Sequence, residues 1–236
     1  MADPVDDVDH VFTKPELFNL PLQKNEDRRK VDEDRRKVDE DRRRVYSDII
    51  VQYANGRQID ILEIGVYTGN VLKGLLNYSP STIKTYTGVD PYIGDETDPY
   101  FRSYWKSQTS EAEQQYKRTR AFFRQHNAAL IRKKSEDFFE ASQYMYDVVI
   151  IDGDHRLQPT IKDLRAGLNA LRPGGLLVCD DYGNSDTPEV TRAVCKFVDE
   201  ASESFDASGY RPIWFVNAGK PAPIQLTVIY WRKKVD

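Results

Sequence analysis

The chain has 236 residues, 39% hydrophobic and 31% charged, and carries a formal net charge of -4. That length holds one α/β domain with a full core plus an extension. The acidic balance argues against broad nonspecific nucleic-acid binding, which needs a basic surface to displace counterions.

Residues 1–10 are acidic and no apolar stretch follows them, so no secretory leader is expected. No apolar run approaches the ~20 residues of a bilayer span. Cys179 and Cys195 form no CxxC pair and read as reduced core thiols. A cytoplasmic protein without a membrane partner is the expectation. Residues 1–22 are punctuated by proline and read as irregular structure. In 24–46 the seven residues from Lys30 to Arg36 recur from Lys37 to Arg43. Acids and bases three and four apart pair along a helix face, but one valine per heptad (Val31, Val38, Val45) makes too thin a seam for a strong coiled coil. A solvated helix is the plainest reading; an oligomer contact or a substrate-facing lid stays open. Residues 1–44 are therefore taken as an extension and 45–236 as the domain. Past Val45 the pattern turns amphipathic through Ile49, Ile50 and Tyr53, and Asn55-Gly56 stops the helix.

Short apolar runs then alternate with helical patterns. Ile59 to Ile64 reads as a strand, Val71 to Tyr78 as a helix and Thr85 to Val89 as a strand. A helix follows near 109–126, then a weak strand from Ala129 to Lys133. Val148 to Ile151 is a strong strand, Pro159 to Leu171 a helix and Leu176 to Cys179 a strand. Thr187-Pro188 opens another helix, with the threonine as cap. Ile213 to Val216 and Ile224 to Trp231 close the chain as two strands with no helix between them. The alternation predicts a doubly wound, mostly parallel sheet of seven strands with helices on both faces and one antiparallel strand at the end.

The first strand runs into Glu63-Ile64-Gly65-Val66-Tyr67-Thr68-Gly69. Glycines at a strand-to-helix turn let backbone approach a ligand, though they also make plain tight turns. The Gly-x-x-x-Gly spacing is neither the dinucleotide fingerprint nor a P-loop. Glu63 would repel a pyrophosphate but suits an ammonium group beside a sulfonium. Asp90, about 25 residues past the first glycine, ends the second strand where an acid accepts from ribose hydroxyls, or caps a turn.

The loop from Glu63 to Gly69, the acid Asp90, the segment from Asp147 to His155 and the turn from Leu171 to Gly175 resemble class I S-adenosylmethionine (SAM)-dependent methyltransferases. The segment Asp180-Asp181-Tyr182-Gly183 and the run from Val190 to Phe197 resemble the macrocin and mycinamicin O-methyltransferases, which act on sugar hydroxyls. The likeness spans about residues 45 to 231. It implies a Rossmann-like class I methyltransferase fold. It implies that Glu63, Gly65, Tyr67 and Gly69 hold the methionine end of SAM and that Asp90, with Tyr92 beside it, holds the ribose. Ser135 or Glu136 would touch adenine, and Asp152 would also face the cofactor.

Asp152 ends the fourth strand, and Asp180 and Asp181 end the fifth. Neighbouring strands bring the three carboxylates together, where they repel unless protonated or bridged by a cation. Oxygen donors favour Mg²⁺ or Mn²⁺, which would chelate a diol and lower the pKa of its hydroxyl. The alternative is that one or two of these acids cap helices. The same positions are metal ligands in the macrocin-like group. His155, three residues past Asp152, is placed either as a structural histidine or as the base for the hydroxyl proton, with Asp154 as its substitute or orienter. The group it resembles has an Asp-x-x-His base here. The aromatic segment 91–108, with Tyr100 and Trp105, suits either stacking on a sugar ring or loop packing. Tyr182 is expected to wall the acceptor site. The reading is thus an O-methyltransferase for a sugar, glycoconjugate or other small-molecule acceptor, set against a catechol-type enzyme and a non-catalytic interaction module.

Overall fold

The computed structural model describes residues 28–93, 110–184, 186–215 and 224–235. In chain order the elements are α1 (Arg28–Ala54), β1 (Ile59–Ile64), α2 (Asn70–Tyr78), β2 (Ile83–Val89), α3 (Ser110–Gln125), β3 (Ala129–Ile131), α4 (Ser135–Ala141), β4 (Tyr146–Ile151), α5 (Leu157–Asn169), β5 (Leu171–Tyr182), α6 (Pro188–Ala201), β6 (Phe205–Phe215) and β7 (Ile224–Lys233). The strands form one sheet in the order β3-β2-β1-β4-β5-β7-β6. Strands β1 to β5 pair in parallel, and β7 runs antiparallel to both β5 and β6. The reversed strand therefore sits inside the sheet, between β5 and the edge strand β6. Chain order alone did not separate these two placements.

Alternation along each strand divides the core. Ile59, Ile61, Val148, Ile150, Leu176 and Val178 face one cluster, which α1, α2 and α3 cover with Tyr46, Ile50, Leu72, Leu75 and Phe123. Leu62, Ile64, Val149, Ile151, Leu177 and Cys179 face the other, covered by α4, α5 and α6 through Phe138, Leu164, Val194 and Phe197. Strands β1 and β4 are apolar in both registers because both faces are covered. Each of these large side chains contributes about 1.5–3 kcal/mol by leaving water.

Several boundaries differ from the sequence expectation. Helix α1 runs unbroken from Arg28 to Ala54, as one helix through the repeat and past Val45. It stops where expected, with Asn55 at φ 47° and Gly56 at φ 80°. Strand β5 begins at Leu171 rather than Leu176, because Leu171 already pairs with Tyr146. Gly174 at φ 74° carries the chain through the register shift between these pairs. Helix α4 went unread because only seven residues, Ser135–Ala141, form it. Strand β6 starts at Phe205, eight residues earlier than expected. Cys179 is buried, but Cys195 is exposed on α6 and is not a core thiol. Thr187 is the N-cap of α6, yet its buried hydroxyl makes no capping bond. No helix among the described residues is long and apolar enough to cross a membrane.

Candidate active site

Strand order reverses direction between β1 and β4, and an open α/β sheet forms its ligand crevice outside the carboxyl ends of the strands at such a point. A cavity of about 700 Å³ lies there. Main-chain bonds continue past the strand ends and fix its rim. Gly65 N donates to Val89 O at 2.9 Å, Asp152 N to Ile64 O at 2.8 Å and Asp90 N to Ile131 O at 3.1 Å. Gly65, at φ 84°, crosses so close to β4 that a Cβ would stand 1.9 Å from the Asp152 carbonyl oxygen. Only glycine fits. Tyr67, Tyr92 and Asp181 are non-glycine residues at positive φ, and all three line the cavity. Backbone held in that region costs about 1–3 kcal/mol per residue and gathers where a site is pre-shaped.

Most of the expected cofactor residues meet here. Gly65, Tyr67, Asp90, Tyr92, Ser135, Glu136 and Asp152 all line the cavity. Asp90 Oδ2 accepts from Val66 N at 3.0 Å and Tyr67 N at 2.9 Å, and Oδ1 accepts from Tyr92 N at 2.7 Å. Three of about four lone-pair positions are therefore spent on bracing the glycine loop. One remains for a ligand hydroxyl, not the pair a bidentate ribose clasp would use. Burial nevertheless pushes the Asp90 carboxyl above its usual range, against these three donors. The Tyr67 carbonyl accepts from Tyr92 and from Thr119 of α3, both at 2.9 Å, tying the loop to that helix.

Glu63 and Gly69 stand differently from expectation, since neither lines the cavity. Glu63 is buried one residue behind the loop and accepts from the Tyr86 hydroxyl at 2.7 Å. Burial lifts its pKa to about 8, against the Tyr86 bond. Gly69, at φ 74°, is the N-cap of α2, and a Cβ there would meet the Phe123 ring at 3.0 Å.

At the β4–β5 rim the aspartates gather as expected, but they are not equivalent. Asp152, Asp154, His155 and Asp181 line the cavity; Asp180 does not. Asp180 is buried, and its Oδ2 takes the guanidinium of Arg42 from the charged repeat. Its Oδ1 accepts from Asp181 N at 2.8 Å. The same Arg42 nitrogen lies 3.6 Å from Asp152 Oδ2. His155 Nε2 lies 2.9 Å from Asp181 Oδ2, and Asn184 donates to Asp181 Oδ1 at 3.2 Å. Burial raises Asp181, but the His155 bond and charge outweigh it and hold the carboxyl below its usual range. Asp152 is pushed well up, first by burial and then by the Asp180 charge, with Arg42 opposing both. Asp152, His155 and Asp181 each offer a donor atom within 4.8 Å of the others. That compact set of two carboxylates and an imidazole fits a divalent cation, with His155 in the place expected for Asp180. Asp154 pairs with the Arg156 guanidinium at 2.5 Å.

Tyr182 is not a cavity wall. It is the last residue of β5, packed in the second core cluster. Tyr100 and Trp105 lie outside the described residues. Asp163 and Arg42 went unnoticed in the sequence, and both line the cavity. Asp163 faces Ser135, and burial pushes its pKa to about 7. It was detectable: it shares the buried stripe of α5 with Thr160, Leu164 and Gly167, where a carboxylate is out of place.

Seven strands in this order, with the seventh reversed, make the class I methyltransferase fold, and its crevice is where that class works on SAM. The chain belongs to the family described as "Methyltransferase domain", whose model matches residues 62–182. An uncharacterized protein, R132, of Acanthamoeba polyphaga mimivirus is 27% identical over 176 residues, covering 71% of this chain and 65% of the viral one. The chain thus spans slightly under two thirds of that relative. Among solved structures, an O-methyltransferase from Bacillus cereus in complex with SAH superposes with a TM-score of 0.54 at 11% identity, covering 96% of this chain and 97% of that one. Spermidine synthase from Thermotoga maritima superposes at 0.52 and 15% identity, covering 79% and 58%. At such identities the likeness speaks for the fold alone.

Proposed function

We propose that this SAM-dependent methyltransferase moves the methyl group to a hydroxyl of a sugar or glycoconjugate, with His155 as the proton acceptor. The observation that carries the reading is the His155–Asp181 pair, 2.9 Å apart, on the rim of the cavity that also holds the glycine loop and Asp90. His155 Nε2 faces the Asp181 carboxylate, so a proton taken up by the ring is shared with that carboxylate. Asp181, kept ionised, stabilises the imidazolium that forms as the methyl leaves the sulfonium. Ser135, Glu136 and Asp163 suit the adenine end of the cofactor, and Tyr67 and Tyr92 the loop end. The cavity aligns donor and acceptor, and the activated methyl comes from the cofactor itself. A divalent cation held by Asp152 and Asp181 would bind acceptor oxygens and lower the pKa of the reacting hydroxyl. The sugar acceptor rests on the likeness of Asp180 to Gly183 and Val190 to Phe197 to the macrocin and mycinamicin group.

The test is methyl transfer from SAM to a panel of glycosides and catechols, with and without EDTA. Expected is transfer to glycosides that stops in chelator and returns with Mn²⁺ or Mg²⁺. His155→Ala should lower kcat by roughly 10²–10⁴-fold while leaving SAM affinity within a few-fold. Full activity in chelator removes the cation. Near-normal kcat in the variant removes the base. Transfer only to catechols assigns the other acceptor class, and absence of SAM binding by calorimetry leaves an interaction module.

A further inference from the structure

The charged repeat is the one sequence motif that methyl transfer does not explain. Its two copies are identical in sequence, and the end of the second is built into the domain. Glu40 Oε1 accepts from the Tyr78 hydroxyl of α2, and Arg43 donates to Asn70 Oδ1 at 2.9 Å. Helix α2 carries Gly74 where α1 crosses it: a Cβ there would stand 2.7 Å from the Arg43 carbonyl oxygen. Ser47 is buried in the same seam and donates to that carbonyl at 2.8 Å. This register aims Arg42 at the β4–β5 rim. One turn further, Tyr46 is 2% exposed, and its hydroxyl faces Asp180 without reaching hydrogen-bond geometry.

We propose that Arg42 is the resident counter-ion of the acidic cluster: it occupies Asp180 and keeps it out of reach of a divalent cation, so that the carboxylate ligands are drawn from Asp152 and Asp181. The Asp180 side chain is 0% exposed and that of Arg42 only 26%, so the pair is largely shielded from water. Both Asp180 oxygens are engaged, one by the guanidinium and one by Asp181 N. One lone pair of each oxygen is spent in this way, and Asp180 does not line the cavity. Arg42 also lies 3.6 Å from Asp152, so it offsets part of the charge that would otherwise demand an ion. The cluster can therefore fold before any cation binds. The cation part of this inference rests on the proposed function above; the Arg42–Asp180 coupling does not.

The experiment uses the full chain and two readouts other than catalysis. In EDTA, thermal unfolding is measured for wild type, R42M, D180N and R42M/D180N. R42M should lose roughly 5 °C or more, because it strands a buried carboxylate, and the double variant should recover most of that loss. Additive effects overturn the proposal. If R42M does not fold, the double variant must fold; failure of both also overturns it. Mn²⁺ binding is then followed by calorimetry. D180N should match wild type within about threefold, D181N should weaken binding about tenfold or more, and R42M, with Asp180 released, should tighten it. Equal weakening by D180N and D181N overturns the proposal. Mn²⁺ binding by R42M but not by wild type keeps Arg42 as resident cation and discards the metal in the proposed function. If no variant binds Mn²⁺, the cation reading falls, and the unfolding cycle alone decides the role of Arg42.

Discussion

The two halves of the crevice handle buried carboxylates in opposite ways. On the β1–β2 side, Glu63 and Asp90 are satisfied by neutral donors, a tyrosine hydroxyl and three backbone N–H groups. On the β4–β5 side, Asp180 and Asp181 are met by groups that carry or can carry positive charge, Arg42 and His155. Burial therefore wins at Glu63, whose pKa rises to about 8, and loses at Asp181, which is held below its usual range. The first side has no positively charged hydrogen-bond partner among these contacts; the second already holds its charges. Both are hydrogen-bonded acid clusters at strand ends, and only the charge of their partners tells them apart.

Gly65→Ala breaks the comparison at its seam, where the two halves touch. The added Cβ meets the Asp152 carbonyl at 1.9 Å, and the residue must also keep φ 84°. The expected cost exceeds about 3 kcal/mol, with SAM binding lost; melting curves and calorimetry check both. A variant that folds and binds SAM normally would mean that the rim is not held by this crossing.

Glu63→Gln sharpens the β1–β2 side. The ordinary carboxyl value of 4.5 applies to the unfolded chain and about 8 to the folded one. Between those pH values the folded state holds a proton that the unfolded state has released, so stability falls as pH rises and levels off above about 8. The glutamine variant removes that slope and should be more stable than wild type by about 4–5 kcal/mol above pH 8. Parallel pH profiles of unfolding free energy would show instead that Glu63 is ionised in the unliganded protein.

Asp90→Asn has the smallest expected effect, about 1–2 kcal/mol in SAM affinity. The amide keeps one acceptor but turns an NH₂ group toward backbone N–H groups that need an oxygen. Calorimetric titration with SAM measures it, and unchanged affinity would leave Asp90 as a brace for the loop alone.

Much of this was legible in the chain. The alternation of strands and helices, the Gly-x-x-x-Gly turn, and acids closing β2, β4 and β5 follow from periodicity and from residue types that tolerate only certain backbone positions. Asp163 was legible too, as a carboxylate on an apolar stripe. The rest was not. Strand β7 enters between β5 and β6 because of pairing across long separations, which local pattern does not encode. The roles of Glu63 and Asp180 depend on one hydroxyl and one guanidinium that arrive from distant segments.

The repeat draws the line most sharply. Arg35 and Arg42 occupy the same place in identical heptads, so nothing local distinguishes them. Sequence alone determined that 24–46 would be helical, charged and amphipathic past Val45, because those properties belong to neighbouring side chains. Tertiary structure decided that the second copy reaches the acid rim. Helix α1 docks through Ile49, Ile50 and the Gly74 crossing, and the turn just before that anchor brings the Arg42 guanidinium to Asp180.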